Sequence, residues 1–240
     1  MRRWVLALLL PLVAAPALGQ SPIEEARTLI ANYHKDVTWL DRARDLMEKH
    51  LTTDSRVDGM ILLSRIYFAW GDVRAKDDEE KLAAYDRGRQ LGKRAVELAP
   101  KNPEAHFWYA VNTGLWGTTK GVFRSLFLLP TLREEIDILL TLAPDHAGAL
   151  GLAGNVELAL PWGDLDKAEE HFRKGLKSDR RNTAVRLDLA RLLIKRGKYD
   201  EARKELRRVL GEKEPRYIAD WTVKHTKRAQ ELLDSVKDKP

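Results

Sequence analysis

The chain has 240 residues, of which 44% are hydrophobic and 32% charged, with 42 Lys and Arg against 36 Asp and Glu for a formal net charge of +6. This is globular composition, outside the low-hydrophobicity, high-charge range of disordered chains, and it suits one domain or one short repeat array. No cysteine occurs, which excludes disulfides, thiolate metal sites, cysteine nucleophiles and a lipidated cysteine.

Residues 1–19 have the three-part layout of a secretory signal. Arg2 and Arg3 precede an apolar run from Trp4 to Ala15, and small residues follow up to Gly19. The run is interrupted by Pro11 and is shorter than the roughly 20 apolar residues a bilayer-spanning helix needs. The expectation is general export, cleavage before Gln20, and a periplasmic or secreted protein with no stable membrane anchor. A cysteine-free exported chain fits a bacterial periplasm better than a disulfide-stapled secreted protein. Losing two arginines leaves a charge of about +4 spread over mixed-sign helices, without the basic stripe and interleaved aromatics that nucleic acid requires. No nucleic-acid partner is expected.

From Ile23 to Leu51, apolar residues at Ala26, Leu29, Ile30, Tyr33, Val37, Leu40 and Met47 recur at helical spacing and predict an N-terminal capping helix. Four helix-hairpin units follow. The first, about 57–100, begins GMILLSRIYFAWGD, ends at Pro100, and carries about twelve extra residues around Asp72 to Ala83. The second, about 103–144, begins EAHFWYAVNTGLWG, ends at Pro144, and carries about ten extra around Thr118 to Leu128. The third, about 147–180, has Gly163, Ala168, Phe172 and Leu176 at packing positions and a lengthened turn near Pro161 and Trp162. The fourth, about 183–214, is regular: Leu189, Ala190, Leu193, Gly197, Tyr199, Ala202 and Leu206 follow the large and small positions of a tetratricopeptide repeat, and Ala202 lies 34 positions after Ala168. Ile218, Trp221, Ala229, Leu232 and Leu233 mark a closing helix over 215–236 that covers the last repeat, as solenoid ends require. No segment alternates as a strand would. Residues 20–240 are therefore predicted to form one all-α solenoid of antiparallel helix hairpins.

Catalytic and metal chemistry find little support. His34, His50, His106, His146, His171 and His225 include no paired-ligand spacing, and each reads as a lone helix-surface residue. Gly114-Leu-Trp-Gly-Thr-Thr-Lys-Gly121 is no phosphate loop, because Lys120 follows the threonines and the preceding segment is helical; it reads as a flexible helix-to-helix crossing. Glu134 with Glu135, and Glu169 with Glu170, are sequence neighbours that point apart on a helix and read as solvated charges. No nucleophile elbow occurs. The chain is expected to be no enzyme and to carry no cofactor.

Binding is the better-supported role. Phe107, Trp108, Tyr109, Trp116, Phe123, Phe127 and Trp162 load the expanded units with aromatic surface; Tyr109 sits at a packing position, whereas Trp116, Phe123 and Phe127 lie where an ordinary repeat has no counterpart. Repeat position places Ile61, Arg65 and Phe68, then Phe107 and Val111, then Asn155 and Leu158, then Leu187, Arg191 and Ile194 along the concave groove. An apolar floor with Arg65, Asn155 and Arg191 as donors suits an extended peptide or an acidic-headed amphiphile.

NPEAHFWYAVNTGLWG, LPTLREEIDILLTLAPDHAGAL and LALPWGDLDKAEEHFRKGL resemble a divergent tetratricopeptide branch, the T component associated with TRAP transporters and its eukaryotic relatives, the regulators of microtubule dynamics. The likeness runs from about Val57 to Leu233. It implies docking onto a periplasmic substrate-binding protein and a helical cavity, near Trp116 in this chain, that shelters a hydrophobic or carboxylated ligand. T components are often lipid-anchored, and this chain has no cysteine for that. An exported chain does not inherit the relatives' microtubule role.

Overall fold

The computed structural model describes residues 21–240, so the expected signal segment lies outside the described residues. Ten helices run in order: α1 (Pro22–Asn32), α2 (Trp39–Leu51), α3 (Val57–Val73), α4 (Asp78–Leu98), α5 (Pro103–Lys120), α6 (Val122–Leu142), α7 (Ala147–Ala159), α8 (Leu165–Ser178), α9 (Thr183–Lys195) and α10 (Tyr199–Leu210). A final helical stretch is made of α11 (Ile218–Asp220), one π-helical turn (Trp221–His225) and α12 (Thr226–Ser235). Consecutive helices pack as hairpins, and the hairpins stack in chain order as an all-α solenoid.

Local chemistry explains the helix starts. Asp77 accepts from the Glu80 amide, Asn102 from Glu104, His146 from Ala149, Asp164 from Asp166 and Lys167, and Asn182 from Val185, each satisfying an otherwise orphaned N–H. Pro103 at the first position of α5 has no N–H to leave unpaired.

Two expectations are corrected. The stretch from Ile23 to Leu51 is two helices, because Asp36 accepts from the Thr38 amide at 2.9 Å and from its hydroxyl at 2.7 Å, an Asx turn that competes with helix. Folded back, α1 and α2 bury Tyr33, Leu40, Ala43 and Met47 completely, a fifth hairpin rather than a single cap. The extra residues of the expanded units form no separate segment. They lengthen helices: α3 and α4 have 17 and 21 residues and α5 and α6 have 18 and 21, against 13 and 14 for α7 and α8. The segment Gly114–Gly121 is not a flexible crossing; it is helical up to Lys120, and Gly121 alone, at φ 111°, turns the chain into α6. The lengthened turn at Pro161 and Trp162 is present between Leu160 and Asp164.

Small residues set how closely helices cross. Phe172, completely buried, lies on Gly154, whose missing Cβ would sit 2.5 Å from the ring. Gly92 lets α4 approach the α5 backbone: a Cβ there would lie 2.7 Å from the Tyr109 Cα. A buried polar node ties three helices together, since the Ser64 hydroxyl donates to the Gly88 carbonyl at 2.7 Å while the Asn112 amide donates to the Ser64 carbonyl and hydroxyl at 3.1 Å.

Glycine-to-alanine exchange in a helix is ordinarily worth up to about 1 kcal/mol of stability. Gly114→Ala, whose Cβ would have its nearest neighbour at 3.7 Å, is expected to raise the denaturation midpoint, whereas Gly92→Ala, which strikes backbone, is expected to lower stability by about 1–3 kcal/mol. Urea denaturation followed by circular dichroism distinguishes the two; equal effects would refute the close α4–α5 crossing.

Candidate functional site

On α3, Ile61, Arg65, Phe68 and Asp72 recur three and four positions apart and so share the face that the repeat pattern assigns to the groove. That face is not empty. The C-terminal helical stretch packs on α9 and α10 through Ala229, Trp221, Leu232 and Leu233, as expected, but also reaches α1, where Ala219 joins the N-terminal core and Val223 packs against it. It therefore crosses the concave side from the last hairpin to the first. Pro215 and the residues after it are thus more than an end cap.

The crossing is held by charge and aromatic contacts. The Lys224 ammonium reaches Asp72 at 2.7 Å and Asp220 at 2.8 Å and lies 4.5 Å from the Phe68 ring centre. Tyr33 of the first hairpin donates its hydroxyl to Asp220 at 3.1 Å. Trp221 donates to the Val209 carbonyl at 2.7 Å, and His225 pairs with the Thr183 hydroxyl at 2.7 Å. Burial raises and Lys224 lowers the Asp220 carboxyl, with a net shift below its ordinary range. Burial disfavours the Lys224 ammonium, yet Asp220 and Asp72 outweigh it and shift that group upward. Burial, followed by Asp220, pushes the Tyr33 phenol up. His225 is lowered from 6.5 to about 4, chiefly by burial, with Lys224 adding repulsion.

Beside the crossing a strip of aromatic floor remains. Phe68 and Trp108 lie 5.5 Å apart, Phe107 and Trp108 4.9 Å apart edge to face, and Phe107 and His146 4.8 Å apart, so α3, α5 and the start of α7 form one ribbon of rings. Gly148 allows it, since a Cβ there would strike the Phe107 ring at 2.7 Å. The Arg65 guanidinium lies 5.7 Å from the Trp108 ring and 5.0 Å from that of Tyr217. Among the described residues it makes no ion pair. Glu104 borders the ribbon, accepting from Trp108 at 3.1 Å and meeting His146 at 3.2 Å.

The other groove residues are placed differently. Val111, Leu158 and Leu187 are buried in the packing between helices. Ile194 packs partly buried between the two C-terminal core clusters. Asn155 donates to Asp188 at 2.7 Å, and Arg191, itself exposed, pairs through one nitrogen with the same carboxylate at 3.0 Å, which burial pushes above its usual range against their opposition. Trp116 lies between Arg89 at 4.7 Å and Arg124 at 5.6 Å. The hollow beside it, lined by Lys120, Phe123, Arg124 and Phe127, is an open surface depression and not the deep enclosed cavity expected near Trp116. Phe123 and Phe127 are 92% and 73% exposed.

The histidines and acidic pairs also need correction. His106 is no surface residue: it is 2% exposed, with Nδ1 2.6 Å from Glu135 and Nε2 2.9 Å from the Pro100 carbonyl. Glu135 is thus buried while its neighbour Glu134 is exposed, and Glu169 is held by Arg173, Arg196 and Lys198. Among the described residues no group of three or more His, Asp or Glu side chains converges to hold a metal, and no helix is long and apolar enough to cross a membrane. The sequence reading missed Tyr217, Asp220, Lys224, Glu104 and His146. A signal existed for the crossing: Ala219 and Val223, four apart, form a second apolar stripe that covering the last repeat does not require.

Two outcomes follow for the crossing helix. Lys224→Met leaves Asp72 and Asp220 facing each other without a cation and is expected to cost about 2–4 kcal/mol, read as lost hydrogen-exchange protection over 218–235. Because the native state binds fewer protons at His225 between pH 6.5 and about 4, its contribution is complete above pH 6.5 and falls as pH drops through that window. Denaturation at pH 7.5 and 4.5 should show a loss of about 2–3 kcal/mol that His225→Asn removes; Asp220, with its lowered carboxyl, acts only at more acidic pH.

A profile of the family described as regulator of microtubule dynamics protein 1-3 matches residues 23–159, more than half of the chain, and a tetratricopeptide repeat profile matches residues 163–219. Regulator of microtubule dynamics protein 2 of Macaca fascicularis is 32% identical over 90 residues, and that of Rattus norvegicus 31% over 89. These stretches take in 34% of this chain but span only 22% of the relatives' length. A thermophilic tetratricopeptide protein of Thermus thermophilus superposes with a TM-score of 0.65 at 18% identity, over 85% of this chain and 99% of that one. The pilF protein of Pseudomonas aeruginosa gives a TM-score of 0.52 at 16% identity, over 91% and 93%. These structural likenesses establish the tetratricopeptide solenoid, and with the profile spanning most of the five hairpins from α1 to the end of α7, the chain belongs to the regulator of microtubule dynamics protein 1-3 family.

Proposed function

We propose that the chain is an exported, non-enzymatic scaffold that binds a protein partner on the aromatic strip left beside its C-terminal helix. Tetratricopeptide solenoids are protein-interaction architectures, presenting side chains from successive first helices to one ligand. The observation that carries the reading is Arg65. Its guanidinium is stacked near Trp108 and Tyr217; Glu104 and Asp220 feel its charge, but no carboxylate among the described residues lies within ion-pair distance, so its edge donors suit an incoming Asp, Glu or chain-terminal carboxylate. Phe107 and His146 supply apolar floor for the neighbouring residues of such a peptide. The crossing helix narrows the usable groove, which favours a short segment over a long helix.

Arg2, Arg3, the run from Trp4 to Ala15 and the small residues before Gln20 support export. Microtubule dynamics, named for relatives of which the match spans 22%, is not carried to this chain, because export would separate it from that partner.

A photo-crosslinking amino acid at Phe107 is expected to trap one envelope protein in native cells. Arg65→Ala should weaken the purified pair about tenfold or more, with Arg65→Lys recovering little, since a point charge lacks the planar fork. Unchanged affinity in Arg65→Ala would sink the proposed site. Mass spectrometry of the native protein is expected to find Gln20 as its first residue; a cytoplasmic chain retaining residues 1–19 would refute export.

A further inference from the structure

The α5–α6 hairpin ends in apolar side chains that the described residues leave largely uncovered. Val122, Phe123 and Phe127 are 73%, 92% and 73% exposed, and Phe123 and Phe127, four positions apart, share one helix face. A 92% exposed phenylalanine gains nothing for folding, and its exposure carries a solubility cost.

The charges around them are one-sided. Residues 105–133 contain no Asp or Glu, while Lys120 and Arg124 lie beside the tip and Arg133, further along α6, pairs with Glu157. The second helices of the other hairpins all place acid in the first turn: Asp41 in α2, Asp78, Glu79 and Glu80 in α4, Asp166 in α8, and Asp200 and Glu201 in α10. Such acids favour a helix N-terminus through its dipole, and α6 alone among these has none. In their place stand Phe123 and Arg124, with the Arg124 guanidinium 5.6 Å from the Phe127 ring. The antiparallel hairpins also put the α7–α8 turn on the same edge of the solenoid as this tip, and Trp162 there is 66% exposed.

We propose that this tip docks on the surface of an anionic phospholipid bilayer, with Phe123, Phe127 and Val122 entering the boundary between headgroups and acyl chains and Lys120 and Arg124 meeting lipid phosphates. Outstanding aromatics flanked by cations match that boundary, where ring bodies bury and charged tips stay wet. The missing acids remove, at the α5–α6 tip itself, the repulsion that an anionic surface would meet at the start of the second helix of every other hairpin, Asp164 and Asp166 beside Trp162 included. A protein partner would need a groove or flat face to enclose the rings, and the hollow between Lys120, Phe123, Arg124 and Phe127 is shallow and open. The proposal is independent of the Arg65 site, which lies on α3 and faces the concave side.

The absence of cysteine permits a local test with the full chain. Thr118→Cys, exposed beside the tip, is labelled with a polarity-sensitive dye, and Lys213→Cys, exposed just past the end of α10, serves as control. Vesicles of phosphatidylcholine alone are compared with vesicles containing about one third phosphatidylglycerol. The expected result is a blue shift at position 118 only, on the anionic vesicles only, weakened by high salt. Phe123→Ser with Phe127→Ser should lower vesicle partitioning about tenfold or more with an unchanged circular dichroism melt. Partitioning retained in the double variant, or equal shifts at both dye positions, overturns the proposal. So does tip-dependent self-association in vesicle-free sedimentation velocity, which would assign the patch to a second copy.

Discussion

The arrangement of this protein depends on one ammonium placed between two carboxylates from opposite ends of the chain. Lys224 sits within 2.8 Å of both Asp72 and Asp220, and Tyr33 donates to the second of these. A solenoid needs contacts only between neighbouring repeats, and its ends otherwise stay apart. Here the final helix returns across the concave side and joins the first hairpin to the last. With Ala219 in the N-terminal core and Ala229 in the C-terminal one, one helix closes two clusters that the repeats leave separate.

Closure changes what the concave surface can do. Phe68, the middle of the expected groove, lies under Lys224, and Arg65 lies beside Tyr217 of the returning segment. The proposed binding surface is therefore part repeat and part C-terminal stretch, so a partner meeting Arg65 would also meet Tyr217 of that stretch. The π-helical turn from Trp221 to His225 lies at the crossing, where Trp221, Lys224 and His225 must each meet a different neighbour. One extra residue in a turn shifts the side-chain register that a uniform α-helix would impose.

The expanded hairpins contribute in a different way. Their extra residues add helix length rather than loops, which carries Val122, Phe123 and Phe127 to an outer edge, away from the Arg65 strip on the concave side. One family scaffold thus carries two separate surfaces with different chemistry, one aromatic and stacked around a guanidinium, the other aromatic and bordered by Lys120 and Arg124.

The all-α class, the hairpin period and the starts of α5, α7 and α9 are legible in the amino-acid sequence, because these follow from local caps, the spacing of Ala168 and Ala202, and prolines near helix starts. The break at Asp36 was legible in principle as an Asx turn and was overridden by an apolar period that runs unbroken through it. That Asn155 donates to Asp188, that Glu135 is buried on His106, and that the groove is crossed follows only from packing between helices. These contacts join residues distant in the chain: Asn155 and Asp188 are 33 positions apart, His106 and Glu135 29, and Asp72 and Lys224 152. Periodicity reports which face of a helix is apolar; which neighbour covers that face is settled by how five hairpins and a returning helix share the same space.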